Sequence, residues 1–135
     1  MQSEINVLAG LEHLNIMSLW EVIDQRTQVH LVMELCRGMP LYHHVKKLPD
    51  QKMSEHQCKL IFKQLVQAVQ YMHSQNKAHR DLKLDNILFD AETQQIKVID
   101  FGFSLEISKD HKCEIYCGTP HYMDPDICKK VPYSA

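Results

Sequence analysis

The chain has 135 residues, 44% of them hydrophobic, and a formal net charge of −2, an ordinary composition for a globular protein with one core. A near-neutral charge without a basic run argues against nucleic acid as a partner, and no apolar stretch reaches the length of a membrane span. The first residues do not form a signal peptide, so we expect a cytoplasmic location, with the nucleus as the alternative, and no membrane partner.

The five cysteines are an odd number without a secretory signal, which favours free thiols over disulfides. Four residues of the last third could be drawn as a zinc site: His111, Cys113, Cys117 and His121. Their spacing matches no common zinc pattern, so we do not expect a zinc ion there.

The first third of the chain predicts one helix followed by two strands. The helix is predicted over residues 1–11, where apolar residues recur at three-residue steps and no capping signal precedes them. Residues 16–24 and 29–34 are β-rich runs joined by a polar turn, which is typical of a strand pair.

A break at residues 37–40 and a short helix at 41–47 precede the longest predicted helix. Ser54 would open that helix, since Ser54 and Gln57 have the spacing of a capping box. Apolar residues with a three-to-four spacing predict a core stripe along it: Cys58, Ile61, Phe62, Leu65, Val66, Val69 and Met72.

A hairpin is predicted beyond the long helix, with strands at residues 87–89 and 96–99 and a turn between them. It would place Asn86 and Asp100 at adjoining strand ends, so that two residues distant in the sequence face one site. Amide and carboxylate oxygens are the hard ligands that Mg²⁺ prefers.

Two short motifs frame this hairpin. Residues 79–86 read His-Arg-Asp-Leu-Lys-Leu-Asp-Asn, and residues 100–102 read Asp-Phe-Gly. Together they resemble the catalytic loop and the metal-binding motif of the protein kinase family. The alternative, a polar surface turn followed by an ordinary hairpin, does not account for the residue types and the gap between the motifs. The stretches His-Leu-Val-Met-Glu-Leu and Cys-Gly-Thr-Pro-His-Tyr-Met are similar to the calmodulin-dependent and AMP-activated group.

The resemblance implies a phosphotransfer site with ATP and Mg²⁺ (or Mn²⁺) as cofactors. Asp81 would accept the proton of the attacking hydroxyl, and Lys83 would meet the transferring phosphate. Asn86 and Asp100 would hold the metal ions. Thr119 would hydrogen-bond Asp81 and Lys83, and Thr119 and Lys83 together imply a protein substrate that carries serine or threonine.

The resemblance also implies a nucleotide site in the first half of the chain. Backbone groups of Glu34 and Cys36 would contact adenine, and Leu88 would pack under the ring. Glu4 would pair with the lysine that binds the phosphates. Four residues would stack in an internal hydrophobic column: Leu8, Leu19, His79 and Phe101.

The fold that the resemblance implies is α+β, a truncated kinase-like two-lobe fold. It would comprise the C-helix, the last strands of the small lobe and the first part of a mainly helical large lobe. Residues 1–36 would be the remainder of the small lobe and the hinge. Residues 37–135 would be the first part of the large lobe, with the catalytic loop at residues 79–86 and the activation segment at residues 103–126.

The sequence departs from the family pattern in ways that bear on activity. It holds no Gly-x-Gly-x-x-Gly loop, and no strand ahead of Glu4 carries the expected lysine. The activation-site threonine of the AMP-activated group falls on Ile115, which leaves Glu114 or Tyr116 as the expected partner of Arg80. We therefore predict a serine/threonine protein kinase sequence that is inactive as this chain alone. The alternative is a non-catalytic truncated kinase that acts as a binding or scaffold module.

Overall fold

The computed structural model of the protein describes residues 2–107 and 112–134, which form four α-helices and seven strands. The elements of the first half, in chain order, are α1 (Gln2–Leu8), β1 (Leu19–Gln25), β2 (Gln28–Met33), β3 (Met39–Pro40), α2 (Leu41–Lys47) and α3 (Glu55–Ser74). The second half contributes β4 (Lys77–Ala78), β5 (Ile87–Asp90), β6 (Gln95–Val98), β7 (Leu105–Glu106) and α4 (Pro125–Cys128). Separate helices and antiparallel strands confirm the expected α+β class. None of the helices described is long and apolar enough to cross a membrane.

The strands form three small antiparallel sheets with the orders β1-β2, β3-β5-β6 and β4-β7. The predicted hairpin is the β5–β6 pair, in which Ile87 lies opposite Val98. Beyond this pair, the backbone nitrogen of Ile99 donates to the carbonyl oxygen of Asn86 at 3.0 Å. Both sequence motifs therefore meet at one end of the hairpin.

Two elements have a bound that differs from the prediction by three residues, whereas β2, β5 and β6 differ from it by one residue. Helix α1 ends at Leu8 rather than at residue 11, and Gly10 lies in the turn that follows. Strand β1 begins at Leu19 rather than at residue 16. The stretch before it is joined to β6 instead, because the backbone nitrogen of Met17 donates to the carbonyl oxygen of Val98 at 3.0 Å.

Helices α2 and α3 follow the prediction closely. Helix α2 has the predicted bounds, and α3 begins directly after Ser54. The hydroxyl of Ser54 accepts a hydrogen bond from the backbone nitrogen of Gln57 at 3.2 Å, which satisfies one of the free donors at the helix start. The Gln57 side chain meets the Ser54 hydroxyl at 3.4 Å, so only half of the reciprocal capping box is formed.

Two clusters of buried side chains hold α3 against its neighbours. The first joins α1 to α3 and β6: Val7, Leu8, Leu11, Ile16, Ala68, Met72, Val98 and Phe101. The second joins α2 and α3 to the β5–β6 hairpin: Leu41, Ile61, Ile87, Phe89 and Ile96. Each fully buried large apolar side chain contributes about 1.5–3 kcal/mol. These clusters fix the hairpin end that carries both motifs.

The predicted core stripe of α3 is wrong along one edge, where the apolar side chains are exposed. Ile61 and Met72 are buried, but Phe62 is 64% exposed and Val66 is 46% exposed, and Cys58 is also exposed. The apolar positions cover a wide arc of the helix, and the described strands β4 and β6 pack against only one side of that arc. The other side faces outward as an apolar surface.

Candidate active site

The Asp81 carboxylate is the centre of a buried hydrogen-bond network. Its side chain is 2% exposed, and Lys83 Nζ lies 2.7 Å from Oδ2. The Thr119 hydroxyl donates to Oδ1 at 2.6 Å, and Asn86 Nδ2 donates to Oδ2 at 3.1 Å. Lys83 Nζ also donates to the Thr119 hydroxyl at 2.9 Å. All four residues predicted for catalysis therefore lie together, including the predicted contacts of Thr119, while their chemical roles remain predictions.

The charges of this network reinforce one another. Burial acts to raise the pKa of Asp81, but hydrogen bonds from Lys83 and Thr119 outweigh it, so that the pKa lies below its ordinary value. The hydrogen bond to Asp81 in turn raises the pKa of Lys83. At neutral pH the network therefore contains a carboxylate that can accept a hydrogen bond from an incoming hydroxyl and an ammonium group beside it.

His79 fixes the backbone in front of Asp81. Its ring is buried, with Nε2 at 3.0 Å from the carbonyl oxygen of Ile99, and Nδ1 accepts from the backbone nitrogen of Asp81 at 3.2 Å. Burial lowers the pKa of His79, which favours the neutral ring that this pair of contacts requires. The ring packs against Phe101 with centroids 4.9 Å apart. His79 thus lies in the core and packs against Phe101, as predicted for these two members of the internal hydrophobic column.

The candidate metal ligands present oxygen atoms near Asp81. Asn86 uses Nδ2 on the carbonyl oxygen and the carboxylate of Asp81, which leaves its amide oxygen for another partner. Asp100 has a left-handed backbone with φ of 61°, and Oδ1 accepts from the nitrogen of Gly102 at 3.2 Å. One amide and one carboxylate oxygen fit Mg²⁺ when phosphates supply further ligands. Residues 2–107 and 112–134 hold no cluster of three or more His, Cys, Asp and Glu side chains suited to a metal.

The residues predicted to contact adenine line a cavity of about 300 Å³ beside strand β2. Glu34, Cys36 and Leu88 all contribute to its wall. The backbone nitrogen of Glu34 donates to the carbonyl oxygen of Ser18 at 2.9 Å, and the Cys36 thiol lies 3.8 Å from the carbonyl oxygen of Glu34. The structure therefore brings these three residues together, with the Glu34 nitrogen already used inside the protein.

Lys97 belongs to this cavity and was missed by the sequence analysis. Its Nζ lies 2.7 Å from Glu34 Oε2 and 3.4 Å from the carbonyl oxygen of Ile16. Burial acts to raise the pKa of Glu34, but the hydrogen bond from Lys97 outweighs it and the pKa is lowered. The alternating pattern of β6 could have indicated this position of Lys97. Ile96 and Val98 are buried, so the residue between them points to the opposite face of the strand.

Comparison with known proteins decides the family, because the protein kinase domain family matches residues 1–135. The chain belongs to the protein kinase family. Sperm motility kinase 3A of Mus musculus is 39% identical over 131 residues, which are 97% of this chain and 25% of that protein. NUAK family SNF1-like kinase 1 of Homo sapiens is 35% identical over 133 residues, 98% of this chain and 20% of that protein. The chain thus spans a quarter or less of these curated relatives and represents part of a kinase domain.

Glu4 lies half-buried on α1, the helix for which the resemblance predicts the place of the C-helix. Three salt bridges occur within the described part of the chain, and none of them involves Glu4. Its predicted pairing with a phosphate-binding lysine stays a prediction.

Arg80 has other partners than the sequence predicted. Its Nε donates to the carbonyl oxygen of Phe103 at 2.6 Å, and Nη1 lies 3.2 Å from the Tyr133 hydroxyl and 3.5 Å from Cys113 Sγ. Neither Glu114 nor Tyr116 is among its partners in the described residues. The sequence offered no signal for Tyr133, since a contact across 53 positions leaves no local pattern.

The alternative zinc site places one of its four residues, His111, outside the described ranges. Cys113 is buried, and its sulfur lies 3.4 Å from the Tyr133 hydroxyl. The five cysteines are free thiols in the structure, as predicted.

Proposed function

We propose that the chain is part of a serine/threonine protein kinase that transfers the γ-phosphate of ATP to a hydroxyl of a protein substrate. The observation that carries the proposal is the buried Asp81 carboxylate, bonded at once by Lys83, Asn86 and Thr119. Phosphoryl transfer requires a carboxylate that orients the attacking hydroxyl and a cation that contacts the phosphate.

In the proposed reaction, Asp81 exchanges one of its internal donors for the hydroxyl of the substrate and accepts its proton. Lys83 is 2.7 Å from the same carboxylate, and its ammonium group would meet the transferring phosphate. The amide oxygen of Asn86 and the carboxylate of Asp100 would hold Mg²⁺ or Mn²⁺. When bound, the metal ion would neutralise negative charge on the phosphates.

The adenine of ATP would lie at the cavity lined by Glu34, Cys36 and Leu88. Lys97 donates to the Glu34 carboxylate at 2.7 Å at the wall of this cavity. Glu4 would meet the phosphate-binding lysine when a complete small lobe is present.

Serine or threonine rather than tyrosine is supported by Thr119, which bridges Asp81 and Lys83. The relatives include kinases named for sperm motility and for SNF1-like activity, which is consistent with this class.

The test uses a chimera that contains all 135 residues of this chain, with sperm motility kinase 3A supplying the sequence on both sides of them. The chimera should phosphorylate a mixed protein substrate with ATP and Mg²⁺, and acid hydrolysis should yield phosphoserine or phosphothreonine. Asp81→Asn should lower kcat by roughly 100-fold or more, the usual contribution of a general base. Predominant phosphotyrosine, or full activity of the Asp81→Asn chimera, would show the proposal to be wrong.

A binding or scaffold module is the competing proposal, and one surface favours it. An apolar groove of about 520 Å³ lies between α2 and α3, with Phe62 on its wall. A chimera that is folded and binds protein partners but transfers no phosphate would favour this second function.

A further inference from the structure

The hydroxyl of Tyr133 joins three segments of the chain. It donates to the carbonyl oxygen of Ile115 at 2.8 Å, and it accepts from Arg80 Nη1 at 3.2 Å and from the Cys113 thiol at 3.4 Å. One phenol hydroxyl has one donor and two acceptor positions, so these three bonds use its full capacity. We call Arg80, Cys113, Ile115 and Tyr133 the tyrosine cluster.

The backbone supports the same contact. Cys113 and Tyr133 form an isolated antiparallel bridge, in which each backbone nitrogen donates to the carbonyl oxygen of the other, at 2.7 and 3.0 Å. The Cys113 side chain is buried together with Ala78 and Ile107, and Tyr133 packs against them. The phenol is therefore held in place by packing and by its own backbone.

The acceptors of Arg80 in the described part of the chain are neutral. They are the Phe103 carbonyl oxygen, the Tyr133 hydroxyl and the Cys113 sulfur. Burial, followed by the hydrogen bond with Cys113, raises the pKa of Tyr133 to about 12, so the phenol stays neutral at physiological pH. The side chain of Ile115 cannot be phosphorylated, and its backbone oxygen is already used by Tyr133.

Arg80 is the residue directly before Asp81, and its backbone is in the left-handed region with φ of 66°. A side chain at Gly118 would come within 2.7 Å of the Arg80 carbonyl oxygen, so Gly118 allows the activation segment to lie against this bend. The residue after Gly118 is Thr119, which donates to Asp81. Arg80 is thus adjacent in sequence to Asp81 and in contact with the residue before Thr119.

We propose that the Tyr133 hydroxyl is a positioning group for the catalytic loop, which orders Arg80 and the activation segment without a phosphate group. The effect on catalysis rests on the proposed kinase function, whereas the effect on the order of the activation segment does not. A kinase with this cluster would be active without phosphorylation of the segment around Ile115.

The first experiment measures order in the 135-residue chain by hydrogen exchange with mass spectrometry. Tyr133→Phe should speed exchange in peptides covering residues 112–119 by roughly fivefold, as expected for the loss of a net hydrogen bond or two. Peptides from β5 and β6 should not change. Tyr42→Phe is the matched control, since Tyr42 is also half-buried and packs under Lys46 in α2, with 4.4 Å between Nζ and the ring centroid. Unchanged exchange in 112–119 would overturn the proposal.

The second experiment measures kinetics in the chimera with sperm motility kinase 3A, prepared in bacteria and treated with phosphatase. Tyr133→Phe should lower kcat by roughly tenfold, the effect of a misplaced catalytic group, with KM for ATP unchanged. Arg80→Lys should give a similar loss, and the double variant should be no worse than Arg80→Lys alone, because both act through one contact. Additive losses, or a rise in KM alone, would contradict a positioning role.

Phosphorylation of Tyr116 is the alternative way to order Arg80. If phosphatase treatment or Tyr116→Phe abolishes activity while Tyr133→Phe does not, the proposal is overturned. If the chimera with the natural residues is inactive, the proposed kinase function fails, and the exchange experiment alone still decides whether Tyr133 orders the segment.

Discussion

The Asp81 carboxylate combines burial with three hydrogen-bond donors, which act on its ionisation in opposite directions. Burial disfavours the charged form, whereas the donors Lys83, Asn86 and Thr119 favour it and prevail. The folded pKa is therefore below the unfolded one. The resulting stabilisation is present above the unfolded pKa and is lost as the pH falls through the folded pKa.

Asp81→Asn should test this at the level of the free energy of unfolding. The difference in that free energy between the natural chain and Asp81→Asn should be largest near neutral pH and should narrow below about pH 4. Urea unfolding at several pH values between about pH 7 and pH 3 measures the free energy of unfolding of both proteins. Asp24→Asn on the exposed strand β1 controls for the loss of one negative charge. A difference for Asp81→Asn that is constant over this range would contradict the argument.

Thr119 offers a second test, because two replacements separate the effect of its hydroxyl group from the effect of its side-chain volume. Thr119→Val keeps the volume and removes the bonds to Asp81 and Lys83, whereas Thr119→Ser keeps both bonds. Hydrogen bonds to charged groups contribute about 1.5–3 kcal/mol, so kcat/KM of the chimera should fall about tenfold or more with valine. Serine should stay within about threefold of the natural residue. Equal losses with valine and serine would mean that the methyl group, and not the hydroxyl, matters.

Contacts between single residues were predictable where a motif carried them. The family motifs imply a geometry as well as residue types, so the resemblance predicted contacts among Asp81, Lys83, Asn86 and Thr119. Lys97 and Tyr133 were not predictable in this way, since their contacts span 63 and 53 positions and each is an ordinary residue by itself.

At the scale of elements, helix α1 is joined to the strand before the catalytic loop by one lysine. Lys77 is 8% exposed, and its Nζ donates to the carbonyl oxygen of Val7 at 3.0 Å, near the C-terminal end of α1. A cation there complements the helix dipole, and it gives the Val7 carbonyl oxygen a second donor beside the backbone nitrogen of Gly10 at 3.4 Å. A side chain at Gly10 would overlap Nζ, so a residue without a side chain accommodates the lysine.

The pair Gly10 and Lys77 should therefore behave as one unit. Gly10→Ala should lower the free energy of unfolding by about 1 kcal/mol, because Lys77 Nζ must move away and its hydrogen bond to the Val7 carbonyl oxygen is weakened. Lys77→Met should also destabilise, because it removes the bond to Val7. The double variant should lose clearly less than the sum of both, since methionine lacks the Nζ atom with which the alanine side chain would overlap. Urea unfolding of the four proteins closes the cycle, and strict additivity would refute the coupling.

The types of the longer elements followed from local signals, and most of their bounds agree with the prediction to within one residue. The short elements β3, β4, β7 and α4 were not predicted. The other exceptions have physical causes. The bounds of α2 and the start of α3 at Ser54 were predictable from spacing and capping. The end of α1 was not, because a turn at Gly10 interrupts a pattern that continues to Leu11. The burial of α3 was predictable only in part, because periodicity shows which positions are apolar but not how many neighbours the helix has.

At the scale of the whole molecule, several large apolar side chains face outward. Leu35 is 88% exposed, Trp20 is 66% exposed and Phe62 is 64% exposed. Exposed apolar surface of this kind marks contact sites or sites of association. Strands β1 and β2 pair only with each other among the described strands, so both have free backbone edges.

The 135-residue chain by itself should transfer phosphate at no measurable rate. Asp81 and Lys83 are in place, but orientation of a hydroxyl helps only when the phosphate is held at near-attack distance. Its four glycines, Gly10, Gly38, Gly102 and Gly118, are scattered, so no glycine-rich loop covers the phosphates, and no lysine ahead of Glu4 binds them. The measurement is phosphotransfer from labelled ATP by a monodisperse fraction, with Asp81→Asn as the blank and sedimentation at several concentrations to follow association. Activity above that blank would mean that residues of this chain replace the glycine-rich loop and the lysine.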